Sequence, residues 1–172
     1  PETLMNPTHQ YAQANKRIVT GRGIGIIDTI HLLEVVQSLI RMEEAGVLAV
    51  EDVAGSRAWF SDYLKWLTTH PYGVEEMNAK NNHGTCWVMQ VAQFAKYTGE
   101  QGVLDFCRNR YRSVLLPSQM AEDGSFPLEL KRTKPYGYSL FNLDAMATIC
   151  HILSDGEDDL WQYSMDDGRN MQ

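Results

Sequence analysis

The chain has 172 residues, 44% hydrophobic and 22% charged, which is long enough to bury one sizeable core and ordinary for a globular protein. A formal net charge of −7 excludes general nucleic-acid binding, which needs a basic field. No uninterrupted apolar run reaches the ~18 residues of a membrane span.

Residues 1–20 are polar and without a clear period, apart from Ile18-Val19, and read as an extended lead-in. They show no basic region followed by an apolar run, so no signal-peptide pattern is present. Thr20-Gly21-Arg22-Gly23-Ile24-Gly25-Ile26-Ile27-Asp28 invites a dinucleotide-fold reading. That fingerprint requires a third glycine where Ile26 stands, and no alternation of strands and helices follows to build a parallel sheet. A flexible turn whose backbone packs close to a neighbour fits better.

Asp28 or Thr29 is placed to cap a helix carrying Ile30, Leu33, Val36, Leu39 and Ile40 at helical spacing, closed by Gly46. A second helix opens at Val50-Glu51-Asp52 and carries Trp59, Phe60, Tyr63, Leu64 and Leu67, until His70-Pro71-Tyr72-Gly73 stops it. Residues 70–83 read as a polar loop. The pattern then predicts a helix over about 84–97, closed by Thr98-Gly99, and another over about 101–116, ended by Pro117. Residues 118–137, with Gly124, Pro127, Pro135 and Gly137, read as a long loop, and loops of that length inside a domain are usually functional. A fifth helix is predicted over about 138–153 and a short sixth at Leu160-Trp-Gln-Tyr163, before a stretch resembling a cap for a further helix at 164–171. No alternating strand pattern occurs. The expected architecture is all-α, built of repeated helix pairs as in a solenoid or toroid.

Cys86, Cys107 and Cys150 are odd in number and widely spaced, with no CxxC, and read as buried free thiols. His83 and Cys86 lack the second pair of ligands that a zinc site needs, so no metal or cofactor is expected.

Two polar stretches stand out. Asn81-Asn82-His83-Gly84-Thr85-Cys86-Trp87 puts two amides, an imidazole and an indole at a helix start. Glu129-Leu-Lys131-Arg132-Thr-Lys134-Pro-Tyr136-Gly-Tyr138 adds cations and phenols. Together they hold the parts for β-elimination from a 4-linked uronate. That reaction neutralises the carboxylate, removes the C5 proton and protonates the departing C4 oxygen. Asn82 and Arg132 suit neutralisation, the guanidinium gripping a carboxylate with two parallel hydrogen bonds. His83 fits either neutraliser or base. Tyr138 fits the acid, or both acid and base if the Arg132 cation favours its phenolate. One tyrosine in both roles gives syn elimination; His83 as base with Tyr138 as acid gives anti. Tyr136 and Trp87 are candidate stacking surfaces, although helical spacing also places Trp87 in a core. Lys131, Arg132 and Lys134 are the densest cationic patch for an anionic polymer. Asn82 also suits the N-cap region. Two other readings remain: a glycoside hydrolase using Asp123 and Glu129 as its carboxylate pair, and a polysaccharide-binding helical scaffold without catalysis.

The same stretches resemble the alginate lyase family with an incomplete α/α toroid and its glucuronan-cutting relatives. The resemblance lies in Gly23-Ile-Gly-Ile-Ile-Asp28, Asn81-Asn-His-Gly-Thr85 with Trp87, Asp123-Gly-Ser125, Pro127-Leu-Glu-Leu130 with Arg132-Thr133, and Tyr138-Ser-Leu-Phe-Asn-Leu143. It implies Asn82, His83 and Arg132 around the substrate carboxylate and Tyr138 as acid/base. Asn81, Lys134, Tyr136 and Trp87 are then expected to bind substrate. It implies no cofactor, an anionic uronic-acid polysaccharide as partner, and a periplasmic or secreted location. The family toroid is roughly twice this length, so residues 1–172 are expected to be part of a single toroid domain, about three helix pairs with no second domain, completed by further helix pairs.

Overall fold

A computed structural model describes Ile18 and residues 21–172. The expected lead-in over residues 1–20 lies outside the described residues, apart from Ile18, which is exposed. The glycine run is not a loose turn. Gly23–Thr29 winds into a 3-10 helix with Ile26 fully buried. The close approach expected of its backbone occurs at Gly23, where a Cβ would meet Glu75 Oε2 at 2.7 Å and the Tyr72 carbonyl oxygen at 3.0 Å.

Helix α1 (Leu32–Glu44) follows, with neither Asp28 nor Thr29 capping it. The Thr29 hydroxyl instead lies 2.7 Å from the Ile26 carbonyl, 2.7 Å from the Tyr63 hydroxyl and 2.6 Å from Gln90 Oε1. A side chain engaged in these contacts cannot also serve the helix end. Gly23–Glu44 has the length and average hydropathy of a membrane span, although no uninterrupted apolar run does. Its Ile26, Ile30, Leu33, Val36 and Ile40 pack on the protein core.

Helix α2 (Val50–Thr69) has the expected limits. Part of the expected loop 70–83 is helix α3 (Pro71–Met77). His70 starts this helix as well as stopping α2: its Nδ1 accepts the Tyr72 N–H at 3.2 Å. Pro71 occupies the first turn, where a missing N–H costs nothing. Helix α4 (Asn82–Thr98) begins two residues early because Asn81 caps it, Oδ1 accepting the His83 N–H at 3.3 Å. It ends as expected at Gly99, whose φ of 80° suits glycine, with Glu100 N–H returning to the Ala95 carbonyl at 2.9 Å.

Pro117 does not end the next helix. Helix α5 (Gln101–Arg110) runs on through a π-helical turn, Tyr111–Leu115, into α6 (Leu116–Gln119). The Leu116 N–H bonds five residues back to the Tyr111 carbonyl, and this wider turn makes room for the proline ring. The expected loop 118–137 contains the one-turn helix α7 (Pro127–Leu130), and α8 (Pro135–Leu153) opens three residues earlier than its pattern indicated. Leu160-Trp-Gln-Tyr163 forms turns, with Asp159 Oδ1 accepting the Trp161 N–H at 2.9 Å. The following stretch closes through an isolated Ser164–Asn170 bridge and does not begin a helix. The Arg169 guanidinium ties it to the Pro117 and Met120 carbonyls.

The described residues form no strand beyond that bridge, so the chain is all-α. Helix α4 lies at its centre, with α1, α2, α3, α5 and α8 around it. Every residue from Gly84 to Ala95 is buried, which is why this helix reads apolar on all sides. Its buried glutamines bond to neighbouring elements, although Gln93 Nε2 has no partner among the described residues. Gln90 donates to the Ile26 and Cys86 carbonyls at 3.3 Å each, and Gln93 Oε1 accepts from Gln37 Nε2 at 2.9 Å. Phe60, Tyr63, Phe94 and Tyr97 pack ring to ring between α2 and α4, Phe60 and Phe94 with centroids 5.0 Å apart.

Candidate functional site

The N-terminus of α4 is the point where α3, α6, α7 and α8 meet. A helix start leaves free N–H groups that need acceptors. Asn81 supplies one. Glu129, on α7 and 1% exposed, supplies another: its Oε1 accepts the Asn82 backbone N–H and its Oε2 the Asn82 side-chain Nδ2, both at 2.7 Å. Asn82 is therefore held by main chain and side chain at once, with one Nδ2 hydrogen left over. Gly84 allows the preceding turn to press on this end, since a Cβ there would sit 2.2 Å from the Ala79 carbonyl oxygen.

His83 turns toward α3. Its Nδ1 lies 2.6 Å from Glu76 Oε1, a carboxyl only 1% exposed, while the His83 side chain keeps 19% of its surface. Gln119, at the end of α6, joins three elements. Its Nε2 donates to the Asn81 carbonyl at 3.2 Å, and its Oε1 accepts from Thr85 at 3.1 Å and from Asn142 Nδ2 at 3.0 Å.

Arg132 follows α7, its N–H bonded to the Glu129 carbonyl at 3.0 Å. Its guanidinium lies over the Tyr138 ring, 4.0 Å from the centroid, a cation–π contact that fixes both groups. Among the described residues the Arg132 side chain makes no ion pair or hydrogen bond, and neither does the Tyr138 hydroxyl, so both keep their donors. Glu129 thus ties Asn82 to the turn that carries Arg132, Arg132 in turn covers Tyr138, and His83 follows Asn82 in the chain. Lys134 and Tyr136 are exposed at the start of α8, Tyr136 by 76%.

Trp87 is corrected. It is 1% exposed, donates Nε1–H to the Leu67 carbonyl at 3.3 Å and packs edge-on to Phe106, so it belongs to the core and offers no face to a sugar. The hydrolase pair also changes character. Both Glu129 oxygens are committed to Asn82, and exposed Asp123 caps its own turn by accepting the Ser125 N–H at 3.0 Å. Those hydrogen bonds to Ser125 hold the Asp123 carboxyl below its ordinary range. Cys86 is free and buried; burial first, then the charges of Glu76, Glu129 and Asp144, push its thiol up to about 12, which makes it inert. Among the described residues no three His, Cys, Asp or Glu side chains group to hold a metal.

Sequence reasoning overlooked Glu76, Gln119 and Asn142. Glu76 carried a usable signal: it lies seven residues before His83 on a segment whose His-Pro start marks a helix. Gln119 and Asn142 meet only through tertiary packing and carried none.

No curated protein matches the chain. The structure is similar to the crystal structure of an alginate lyase from Bacteroides ovatus, with a TM-score of 0.91 and 34% sequence identity over 99% of this chain. The match covers 45% of that protein, so the chain spans less than half its length. The alginate lyase family model matches residues 1–172, and with it the chain belongs to the alginate lyase family.

Proposed function

We propose that this chain carries the acid–base and carboxylate-binding groups of a polysaccharide lyase that cleaves a 4-linked uronic-acid polymer, alginate or glucuronan, by β-elimination. The observation that carries the reading is the arrangement at the start of α4: Asn82 clamped by Glu129, Arg132 stacked on Tyr138, and His83 following Asn82 in the chain.

In this reading the substrate carboxylate lies between the unused Asn82 Nδ2 hydrogen and the free edge of Arg132. Negative charge builds on that carboxylate as the C5 proton departs, so these fixed donors act most strongly in the transition state. The base, His83 or Tyr138, takes the C5 proton. The C5–H electrons become the C4–C5 double bond, the C4–O bond breaks, and a proton from Tyr138 goes to the leaving oxygen. Lys131, Arg132 and Lys134 give an anionic chain a local cationic landing despite the net charge of −7, and exposed Tyr136 is the stacking surface for a sugar ring. Leu128, Leu130, Leu140 and Leu143 are exposed on α7 and α8; we assign them to contact with further helix pairs of the same toroid. A periplasmic or secreted location accords with a polymeric substrate.

The test is a panel of polymannuronate, polyguluronate and glucuronan followed by ultraviolet absorbance and reducing-end release. Lyase action gives unsaturated ends that absorb in step with chain cleavage. Reducing ends without that absorbance would indicate hydrolysis, and retention of polymer without cleavage a binding scaffold.

A further inference from the structure

Glu76 is a buried carboxyl without a structural justification of the usual kind. It is 1% exposed, its Oε2 has no hydrogen-bond partner among the described residues, and the side chain's single polar contact there is Oε1 to His83 Nδ1 at 2.6 Å. Burying such a group costs stability unless it is fully paired. Helix α3 nonetheless presents it from a rigid frame. The His70 cap fixes the start of α3, Gly73 lets it pack where a Cβ would lie 2.1 Å from the Leu67 carbonyl oxygen, and Gly84 presses the α3–α4 turn against Ala79. Departures from ordinary packing logic at this density collect where a side chain must be aimed.

We infer that Glu76 is a positioning residue that fixes the ring orientation and tautomer of His83, so that Nδ1 carries the proton and Nε2 faces the substrate. This deepens the lyase reading and depends on it for the role of His83. A carboxylate has only acceptors, so the proton between the two groups belongs to Nδ1. The neutral ring then meets the substrate with a lone pair on Nε2, and the His83 side chain keeps 19% of its surface exposed. When Nε2 takes the C5 proton, the C5–H bond breaks and N–H forms, the C5–H electrons become the C4–C5 double bond, and the C4 oxygen leaves with a proton from the Tyr138 hydroxyl. The imidazolium forms against the Glu76 carboxylate, and exchange with water restores both rings. Glu76 never touches substrate; it acts through His83, as carboxylates behind functional imidazoles do.

The experiment is nitrogen NMR of the imidazole rings with His83 neutral, assigned by the signals missing in His83→Ala. The expected pattern is a protonated, pyrrole-type Nδ1 and an unprotonated, pyridine-type Nε2. Glu76→Met should lose this pattern and lower kcat on the cleaved polymer by about 10-fold or more with a smaller change in KM. Glu76→Gln, which keeps an acceptor, should recover part of both. A proton on Nε2 in the unaltered chain overturns the inference, and so does a Glu76→Met variant with unchanged kcat. If Glu76→Met does not fold, the spectrum of the unaltered chain decides alone. A chain with the expected tautomer that cleaves no uronate polymer would sink the lyase reading and leave the Glu76–His83 pair standing.

Discussion

Asn82 spends one side-chain hydrogen on Glu129 and keeps the other, and in the proposed reading that division links stability to chemistry at one residue. Glu129→Gln would turn a donor toward one of the two Asn82 N–H groups, leaving a buried group unsatisfied at a cost of about 1–3 kcal/mol. Urea denaturation should show the lower midpoint, and activity should fall because Asn82 is released. Tyr138→Phe keeps the ring under Arg132 and removes only the hydroxyl, so turnover should be nearly abolished while polymer retention on an affinity gel persists. Undiminished turnover in that variant would remove Tyr138 from the mechanism. His83→Ala tests the other proton carrier: partial recovery of rate with added imidazole supports a base, whereas recovery by any cation of similar size supports a neutraliser. Asn82 and the Arg132 turn are joined through Glu129 because both polar stretches flank helix starts, and helix starts are readable. Trp87 did not follow them, since a tryptophan at helical spacing looks the same whether it faces a sugar or the core.

At the scale of elements, the prolines explain most of what the sequence concealed. Pro71, Pro127 and Pro135 stand in first turns of helices, where their fixed φ helps and their missing N–H is harmless, and Pro117 is accommodated inside a continuous helical run. Read as breakers, they turned α3 and α7 into loops and delayed α8. The limits of α2 and the Gly99 end of α4 were legible because there the hydrophobic period and the terminating residues agree. The π turn before Pro117 was not, because it depends on how one helix accommodates one ring. The packing of α3 on the start of α4 makes a prediction of its own. Gly84→Ala places a methyl 2.2 Å from the Ala79 carbonyl oxygen, inside any permitted contact. The turn must shift, costing about 1–3 kcal/mol. A thermal melt should show the loss, and kcat should fall further than stability alone explains, because His83 and Asn82 ride on that turn. A melt identical to the parent would mean the turn adapts freely.

For the whole molecule, the core around α4 carries a pH limit. Burial pushes the Cys86 and Cys107 thiols up to about 12 and raises Cys150, Tyr63 and Tyr111 as well. Each folded value lies above its unfolded one, so the stabilisation is complete below the ordinary thiol value of 9.0 and is lost as pH rises through the folded values. The denaturation midpoint should therefore decline steadily above about pH 9, and native thiols should resist alkylation until then. A midpoint flat into strong alkali would show these groups to be less buried than described. The all-α class was legible from periodicity at this scale, but the joining of α4, α6 and α8 through Gln119 was not, because residues distant along the chain carry no shared local pattern.

The central claim is that one uronate carboxylate is held between Asn82 and Arg132, with His83 and Tyr138 at its C5 and C4. A crystal structure of Tyr138→Phe with a bound uronate oligomer tests it most directly. The account predicts a carboxylate within hydrogen-bonding distance of Asn82 Nδ2 and the Arg132 guanidinium, with C5 facing His83 Nε2 or the site of the missing hydroxyl; an oligomer seated away from the start of α4, with these side chains untouched, would contradict it.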